Sequence, residues 1–445
     1  NEEKGDYAPY YQSARKDIYQ AYAKSLVMQG LAYPCFCSAE ELDEIRASQE
    51  NEDIKGYYGK YAKCRNLSLD EIKKKIESGA EWTLRLKSPG DAEKKCYFDD
   101  MIKGKIEMPE NIQDIVLLKS DGIPTYHFAH AIDDHLMRTT HVVRGDEWIA
   151  SVPVHLQLFK VLGFKPVKYA HVAPIMKEEN GGKRKLSKRK DPEAAVSYYA
   201  EAGYPAESVN EYLMTILNSN FEDWRRANKD ADILSFPFNF KKMSASGALF
   251  DYAKLTDVSK NVISKMSADK VFDLTYKWAE EYQPQLYELF SKNKEKATAI
   301  LNIDRENKKP RKDIAKWSEV LDYIGYMYDE TFTPCYELSG NATPKLAVNV
   351  IEEYLKVFDI NDDKDAWFNR MKEICPLVGC TPNVKEYKAE PEKYAGHVGD
   401  VSTVIRVAIT GRTNTPDLFS ITKLLGEETV RKRLNSALKY YKEEA

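Results

Sequence analysis

A strand–helix–strand pattern constrains the fold of this chain more than any other feature. Residues 140–145 are typical of a strand, residues 151–163 of a helix that ends in glycine, and residues 169–176 of a second strand. These elements in this order predict a parallel α/β unit. Because ligands bind beyond the carboxyl ends of such strands, Arg144 and Glu147 become candidate binding residues. A structural arginine paired with a neighbouring carboxylate explains the same spacing equally well.

A basic stretch follows the second strand at residues 181–190. It places six basic side chains and one hydroxyl behind a pair of glycines, which predicts a mobile cationic loop. Residues 191–193 supply an acid, a proline and a second acid, and therefore predict that a helix starts there. Lysines in such a loop can contact a polyphosphate. Taken alone, a lysine-rich run is also typical of a solvated surface or a targeting patch.

Length, charge and cysteine content limit the class of protein. The 445 residues allow about three domains. A net charge of −4 does not indicate a general nucleic-acid binder, although local basic stripes can still bind phosphate groups. Seven scattered cysteines are too few for a disulfide scaffold and favour a reducing cytoplasm. No apolar run approaches the roughly 20 residues that span a bilayer, so we expect a cytoplasmic protein with no membrane partner.

Three cysteines near the start of the chain are candidate metal ligands. Cys35, Cys37 and Cys64 could bind a tetrahedral zinc ion, with a tyrosine or water as the fourth ligand. Their spacing is not that of a common zinc finger, and buried cysteines are often just small hydrophobic residues. Directly after Cys37, Ser38 and Glu41 have the spacing of a capping box and predict a helix start.

The last part of the chain, from residue 264 onward, is helical almost throughout in its apolar pattern. Its apolar side chains recur at helical spacing and predict a helical bundle or cage, without indicating any chemistry. The predicted core faces are Val271, Leu274, Trp278 and Tyr282; Ile314, Trp317, Leu321 and Ile324; Leu346, Val350, Tyr354 and Val357; and Val430, Leu434 and Leu438.

Four motifs in order resemble those of the bacterial glutamyl-tRNA synthetases, a family of class I aminoacyl-tRNA synthetases. The resemblance runs nearly end to end, and residues 8–15 and 401–412 are similar to the family's entry to the connective insertion and to its anticodon-binding cage. A single lysine-rich loop is weak evidence, but four motifs at family spacing are specific. The motifs lie at residues 124–129, 132–137, 143–148 and 185–189.

The resemblance implies an α/β plus all-α fold. It consists of the second half of a class I Rossmann-like catalytic domain with an α+β connective insertion, a helical stem-contact region and a helical anticodon-binding cage. The implied domains are the connective, acceptor-binding insertion at residues 1–122, the second half of the catalytic domain at 123–190, the stem-contact region at 191–262 and the anticodon-binding domains at 263–445.

The resemblance also implies roles for individual residues. The loop of Lys185, Ser187, Lys188 and Arg189 would close over the ATP phosphates, where Lys188 would neutralise charge as pyrophosphate leaves. Tyr126 and Arg144 match positions that hold glutamate, and a guanidinium fork suits a carboxylate. Glu147 and Trp148 match positions that line the adenosine site. His130 falls where family members vary and often carry asparagine.

Some members of the family carry a Cys-x-Cys pair and a later cysteine in the connective domain, so the resemblance favours zinc at Cys35, Cys37 and Cys64. Other members have lost the metal. The family tyrosine lies four residues before the last cysteine. This chain has Lys60 there, with Tyr58 and Tyr61 nearby.

The chain departs from the family in one respect. The first class I signature, a His-x-Gly-His element after the first strand, is absent from this sequence, as is the arginine-containing strand that also binds glutamate. We therefore expect an N-terminally truncated chain that is inactive by itself and holds only the second half of the nucleotide-binding fold.

The resemblance implies an ATP-dependent glutamate–tRNA ligase. It would use ATP with Mg²⁺ to form glutamyl-adenylate and transfer the glutamyl group to the 3′ end of tRNA(Glu), usually as a monomer. The alternative is a non-catalytic tRNA-binding fragment, because the first signature is absent. Glutamine specificity is disfavoured by the helical C-terminal region, since the glutamine enzymes resemble chains that end in β-barrels. A generic α/β nucleotidyltransferase would leave the motif order unexplained.

Overall fold

The computed structural model describes residues 3–444, which form two compact units. The first unit contains the chain up to Lys185 together with Thr215–Phe250, and the second contains Leu186–Met214 and the chain from Asp251 onward. Each unit is described by itself.

The strands are β1 (Ala32–Cys35), β2 (Thr83–Leu86), β3 (Lys95–Asp100), β4 (Gly104–Pro109), β5 (Val116–Leu118), β6 (His141–Gly145), β7 (Lys168–Val172), β8 (Met176–Glu179), β9 (Gly182–Lys185), β10 (Cys380–Thr381) and β11 (Gly396–His397).

The helices are α1 (Lys16–Met28), α2 (Ala39–Ala47), α3 (Leu69–Glu77), α4 (Tyr126–Leu136), α5 (Val152–Val161), α6 (Val196–Ala202), α7 (Ala206–Leu217), α8 (Phe221–Ala227), α9 (Tyr252–Ser264), α10 (Ala268–Tyr282), α11 (Pro284–Lys292), α12 (Lys294–Asn302), α13 (Val320–Ile324), α14 (Pro344–Val357), α15 (Lys364–Leu377), α16 (Val384–Ala389), α17 (Val398–Thr410), α18 (Leu418–Leu425) and α19 (Glu427–Glu444).

The predicted parallel α/β unit is confirmed in the first unit. Strands β6 and β7 pair in parallel and are connected by α5, which follows a 3₁₀ helix at Asp146–Ser151. They belong to a four-stranded sheet of order β4-β3-β7-β6, in which β3 also runs parallel to β7. This topology brings the carboxyl ends of β3, β6 and β7 to one edge of the sheet, where a ligand is expected to bind.

A second sheet, of order β1-β2-β5, is antiparallel. Its apolar face packs with α1, α4 and α5 around fully buried side chains that include Phe128, Leu158 and Phe159. Cutting such a buried leucine back to alanine costs about 2–5 kcal/mol, so this core holds α4 and α5 firmly beside the sheet edge.

Two predicted helix starts have different outcomes. Ser38 and Glu41 form the predicted capping box, with the Glu41 N–H 3.2 Å from Ser38 Oγ and the Ser38 N–H 3.0 Å from Glu41 Oε2. The start predicted at residues 191–193 is confirmed only for a short 3₁₀ helix, Pro192–Ala194; the Asp191 side chain makes no capping hydrogen bond to it, and α6 begins at Val196.

The helical pattern predicted for the C-terminal part is confirmed in the second unit, where α9–α15 and α17–α19 enclose one apolar core. Most of the predicted faces lie in this core, including Val271, Val350 and Leu434. Tyr282 is an exception, because it lies at the end of α10 and its side chain is exposed. Among residues 3–444, no helix has the length and apolar character that crossing a membrane requires.

Candidate functional site

Arg144 occupies the carboxyl end of β6, directly opposite His171 on β7. Its Nε donates a hydrogen bond to His171 Nε2 at 3.1 Å. Its Nη2 lies 3.4 Å from the carbonyl oxygen of Trp148 and 3.3 Å from His155 Nδ1. Its Nη1 is buried and has no hydrogen-bond partner among the described residues. A buried guanidinium nitrogen without a partner is costly and is often found where a ligand binds.

His171 is completely buried and contacts Asp100 at the end of β3. The distance from His171 Nδ1 to Asp100 Oδ2 is 2.7 Å. Burial lowers the pKa of His171, against the opposing effect of the Asp100 hydrogen bond. Burial alone would raise the pKa of Asp100, but the backbone N–H groups of Lys103 and Ile102 and the contact with His171 outweigh it and leave that pKa lowered.

Two further histidines extend this set of contacts. His155 is fully buried on α5, and its Nε2 lies 2.9 Å from Nδ1 of His127 on α4. Burial lowers the pKa of His155 to about 2, with smaller effects from His130 and Arg144, and burial also lowers the pKa of His127. Both imidazoles are therefore neutral at physiological pH.

Aromatic rings form a wall beside Arg144. The rings of Tyr126 and Trp148 lie 4.7 Å apart, and the Arg144 guanidinium lies 5.5 Å from the Trp148 ring and 4.9 Å from the Tyr169 ring. Tyr126 remains 47% exposed. The predicted residues Tyr126, Arg144 and Trp148 thus lie together at one partly open surface.

His130, whose role the sequence left in doubt, supports this wall. Its Nδ1 lies 2.8 Å from an Asp134 carboxylate oxygen, and its Nε2 lies 3.0 Å from the Tyr169 hydroxyl. Its ring stacks on Tyr126 at 5.8 Å with an interplanar angle of 21°. His130 is therefore part of the packing around the wall, in contact with Tyr126.

Glu147 and Lys185 form an ion pair at the edge of the same unit, with 3.5 Å between Lys185 Nζ and Glu147 Oε1. The Glu147 side chain is 55% exposed and the Lys185 side chain 58% exposed, so solvent screens the pair. Both groups are accessible to a ligand.

Half of the predicted mobile loop is a β-hairpin, so that prediction was wrong for its first part. Strands β8 and β9 pair in antiparallel fashion, and Gly182–Lys185 lie on β9. Asn180 and Gly181 form the turn with φ of 52° and 76°, the left-handed pair that a tight hairpin turn requires. Across the hairpin, Arg184 Nε donates to Glu179 at 2.7 Å.

The second half of the basic stretch begins the second unit, which contains Ser187, Lys188 and Arg189. The Ser187 N–H donates to the buried carboxylate of Asp191 at 2.9 Å, and the Ser187 carbonyl accepts from the N–H groups of Lys190 and Asp191. Asp191 therefore closes a turn from Ser187 to Asp191 instead of capping a helix. The turn fixes the backbone from which Lys188 and Arg189 extend.

The three candidate metal ligands meet in one cluster. The Sγ atoms of Cys35, Cys37 and Cys64 lie within 4.8 Å of one another, and those of Cys37 and Cys64 are 3.7 Å apart. Sulfur ligands about 2.3 Å from a tetrahedral zinc ion are themselves roughly 3.8 Å apart. Hydrogen bonds from Cys64 and Tyr57 lower the pKa of Cys35 to about 4, against the effect of burial. The donor set fits a zinc ion.

Tyr57 is the tyrosine of this cluster, and the sequence analysis missed it. Its hydroxyl lies 3.4 Å from Sγ of both Cys35 and Cys37 and accepts from the Cys64 N–H at 2.9 Å. Of the two tyrosines noted near Lys60, Tyr58 donates to the carbonyl oxygen of residue 54 and Tyr61 to the carboxylate of residue 52.

Sequence reasoning also missed Asp100, His127, His155 and His171. His127 lies within the family motif at residues 124–129 and three residues before His130, and this spacing on one helix face was a usable signal. Asp100 and His171 are 71 residues apart and carry no local signal of their contact.

Comparisons with known proteins place the chain in a family. A family profile described as tRNA synthetases class I (E and Q), catalytic domain, matches residues 2–257, and a profile for an anticodon binding domain matches residues 386–438. The chain belongs to the class I tRNA synthetases (E and Q). The predicted family and the predicted combination of an α/β catalytic part with a helical anticodon part are thereby confirmed.

Relatives within this class I family are closely similar. The chain is 52% identical over 439 residues to the glutamate–tRNA ligase of Clostridium perfringens strain 13, covering 98% of this chain and 80% of that one. It is 50% identical over 439 residues to the glutamate–tRNA ligase of Acetivibrio thermocellus, with the same coverage of both chains. The structure matches that of a glutamate tRNA ligase from Elizabethkingia meningosepticum in complex with its amino acid, with a TM-score of 0.74 at 25% identity, covering 98% of this chain and 84% of that one.

Proposed function

We propose that this protein is a glutamate–tRNA ligase. A carboxylate oxygen of glutamate attacks the α-phosphorus of ATP, the bond from that phosphorus to the β-phosphate oxygen breaks, and pyrophosphate leaves. A hydroxyl of the terminal adenosine of tRNA(Glu) then attacks the carbonyl carbon of glutamyl-adenylate, loses its proton and releases AMP. No side chain acts as a nucleophile, so binding, orientation and charge neutralisation carry both steps.

One observation carries the substrate assignment. In a chain of this family, Arg144 is held on two sides by histidines beside Tyr126 and Trp148, and one buried guanidinium nitrogen lacks a partner. That nitrogen is a charged hydrogen-bond donor suited to a carboxylate. Tyr126 and Arg144 would therefore bind glutamate.

For ATP we propose two sets of binding residues, one that includes Trp148 beside Arg144 and one in the basic stretch. Glu147 and Trp148 would line the adenosine site, and Lys188 would bind the phosphates. Lys185, Ser187, Lys188 and Arg189 would stabilise the charge that develops as pyrophosphate leaves. Mg²⁺ bound with ATP would supply further positive charge at the same phosphates.

The zinc proposal is supported by the geometry of the cysteine cluster. Cys35, Cys37 and Cys64 would hold the ion as thiolates, with the Tyr57 hydroxyl as the fourth donor. The metal would fix the loops between β1 and the 3₁₀ helix Gly59–Tyr61, a structural role within the first unit.

The domain assignment follows the family. Residues 1–122 would form the acceptor-binding insertion, residues 123–190 the second half of the catalytic fold, residues 191–262 the stem-contact region and residues 263–445 the anticodon-binding domains. A monomer in the cytoplasm is the state we propose. The alternative of a non-catalytic tRNA-binding module is not favoured, because the catalytic-domain profile matches residues 2–257.

The test is charging of tRNA with labelled glutamate, and with labelled glutamine in parallel, by the product of the complete gene. We expect ATP-dependent charging with glutamate. Binding of tRNA without any charging would overturn the ligase assignment in favour of the binding module, and charging with glutamine alone would overturn the substrate assignment.

A further inference from the structure

Three parallel strands carry one residue each to the same point of the sheet edge. Asp100 ends β3, Arg144 lies near the end of β6, and His171 lies near the end of β7. Since β7 lies between β3 and β6, its His171 lies between the carboxylate and the guanidinium. The order of the strands therefore builds a continuous contact from Asp100 through His171 to Arg144.

The position of the proton on His171 follows from its neighbours. Asp100 Oδ1 accepts from the N–H groups of Ile102 at 3.0 Å and Lys103 at 2.9 Å, and Oδ2 accepts from the His171 N–H at 3.1 Å. These donors keep Asp100 ionised, so His171 Nδ1, which is 2.7 Å from Oδ2, must carry the ring proton. The lone pair of Nε2 then faces the Nε–H of Arg144, which can only donate.

The same reasoning applies to the histidine on the other side of the guanidinium. Because Arg144 Nη2 is a donor, His155 Nδ1 must be the acceptor at 3.3 Å. The ring proton of His155 then lies on Nε2 and is donated to Nδ1 of His127 at 2.9 Å. His155 is fully buried and neutral, so it can accept from Arg144 without repelling it.

Two of the three guanidinium nitrogens of Arg144 have hydrogen-bond partners, and the third has none among the described residues. Nε contacts His171, and Nη2 contacts His155 and the Trp148 carbonyl oxygen. The two N–H groups of Nη1 have no partner among the described residues. The histidines thus hold the guanidinium plane and leave one nitrogen for a ligand.

We infer that Asp100, His171 and His155 are positioning residues that fix Arg144 so that its Nη1 meets a carboxylate of the substrate. This inference rests on the proposed function. The free protein already holds Arg144 in its binding orientation, so the loss of side-chain entropy on substrate binding is small. The neutral imidazoles provide this orientation without neutralising the positive charge of the guanidinium, which stays available to the substrate carboxylate. A carboxylate in their place would satisfy Arg144 and weaken its attraction for the substrate.

The test compares His171→Ala and His171→Gln with the control His141→Gln in the full-length enzyme. His141 is an exposed histidine on the same strand as Arg144. Charging rates are measured at varied glutamate, ATP and tRNA. In His171→Ala we expect KM for glutamate to rise roughly 10- to 100-fold, because a charge-assisted hydrogen bond that orients the guanidinium is lost. The KM values for ATP and tRNA stay near those of the wild type.

His171→Gln should recover part of this loss, because its amide oxygen can still accept from Arg144. An unchanged KM for glutamate in folded His171→Ala overturns the inference and leaves the ligase function standing. If the wild type itself does not charge tRNA with glutamate, the proposed function fails instead.

A second measurement needs no substitution and covers the case in which His171→Ala does not fold. Nitrogen NMR of the histidine rings in the wild-type protein reports which ring nitrogen carries the proton. We expect neutral His171 protonated at Nδ1 and neutral His155 protonated at Nε2. An imidazolium or the opposite tautomer at either residue overturns the inference.

Discussion

Replacing Arg144 with lysine keeps the positive charge and removes the shape of the guanidinium. Lysine is a single point donor on a flexible stem, so it cannot contact His171 and His155 at once and also present a further nitrogen to a ligand. The Arg144→Lys variant therefore separates the contribution of orientation from that of charge.

The magnitude follows from the contacts that are lost. A hydrogen bond to a charged group contributes about 1.5–3 kcal/mol, which corresponds to roughly a 10- to 150-fold rise in KM for glutamate. His171 Nε2 and His155 Nδ1 also lose their donor, and both rings are completely buried. An unsatisfied buried acceptor costs about 1–3 kcal/mol, so we also expect a lower melting temperature.

The assay is tRNA charging at varied glutamate, with KM for ATP measured on the same preparation. Arg46→Lys is the matched control, because Arg46 lies in the same unit and its side chain is 64% exposed. If Arg144→Lys folds and its KM for glutamate is that of the wild type, Arg144 has a structural role and the substrate assignment is wrong. Equal rises in KM for glutamate and ATP would point to general loosening of the site and would also refute it.

Three further predictions concern other parts of the chain. Lys188→Ala should lower kcat far more than tRNA affinity, whereas Lys183→Ala on β9 should change neither; equal losses of rate and tRNA binding in Lys188→Ala would contradict the phosphate role. Tyr57→Phe should lose zinc to a chelator faster than the wild type, as measured by metal analysis after dialysis, and an equal rate would remove Tyr57 from the ligand set. Acid should destabilise the first unit, because burial lowers the pKa of both His155 and His171 in the folded protein and the unfolded chain therefore binds protons more readily. Stability is retained above about pH 6.5 and falls below it, by about 1.4 kcal/mol for His155 near pH 5.5. His155→Gln should make urea unfolding less dependent on pH, and an unchanged dependence would show that His155 titrates normally.

Much of the architecture could be predicted because the spacing of apolar residues along short segments indicates whether each segment is a helix or a strand. The strand–helix–strand unit was predicted from apolar residues that recur with strand spacing, then helix spacing, then strand spacing again. The observed β6, α5 and β7 lie at those positions. The helical C-terminal part follows in the same way. Tyr282 broke the pattern because it ends its helix, where the apolar face no longer meets the core.

The basic stretch shows how composition can hide a stronger local signal. Asn-Gly, the pair at residues 180 and 181, is preferred in tight hairpin turns. Glu179 and Arg184 flank this turn with opposite charges and form an ion pair across the hairpin. The six cations and the second glycine drew the interpretation toward a mobile loop. The hairpin forms because the pairing of β8 with β9 gives backbone N–H and C=O groups hydrogen-bond partners within the protein, whereas a loop would expose these groups to water.

The choice of tyrosine in the cysteine cluster could not be made from the sequence. Tyr57 and Tyr61 both precede Cys64 by a few residues and carry the same side chain, so the sequence gives no reason to prefer one of them. What turns Tyr57 inward is distant in sequence, because its carbonyl oxygen accepts from the N–H of Asp114, itself buried and hydrogen-bonded to Tyr33. The contact that decides the local conformation belongs to another part of the fold.

The same limit applies to Arg144, with a consequence for specificity. The motif identifies the arginine, and from it a two-pronged contact to a carboxylate was expected. That contact stays a prediction, and the structure adds which nitrogens already have partners: Nε contacts His171, Nη2 contacts His155, and Nη1 is the nitrogen of Arg144 without a partner among the described residues. The orientation of the guanidinium is therefore set by the Trp148 carbonyl oxygen within the motif and by two histidines outside it, on β7 and α5. If Arg144 binds glutamate as we propose, substitutions at His171 or His155 should alter substrate preference as much as substitutions of the arginine itself, because they would move the Nη1 that is proposed to meet the carboxylate.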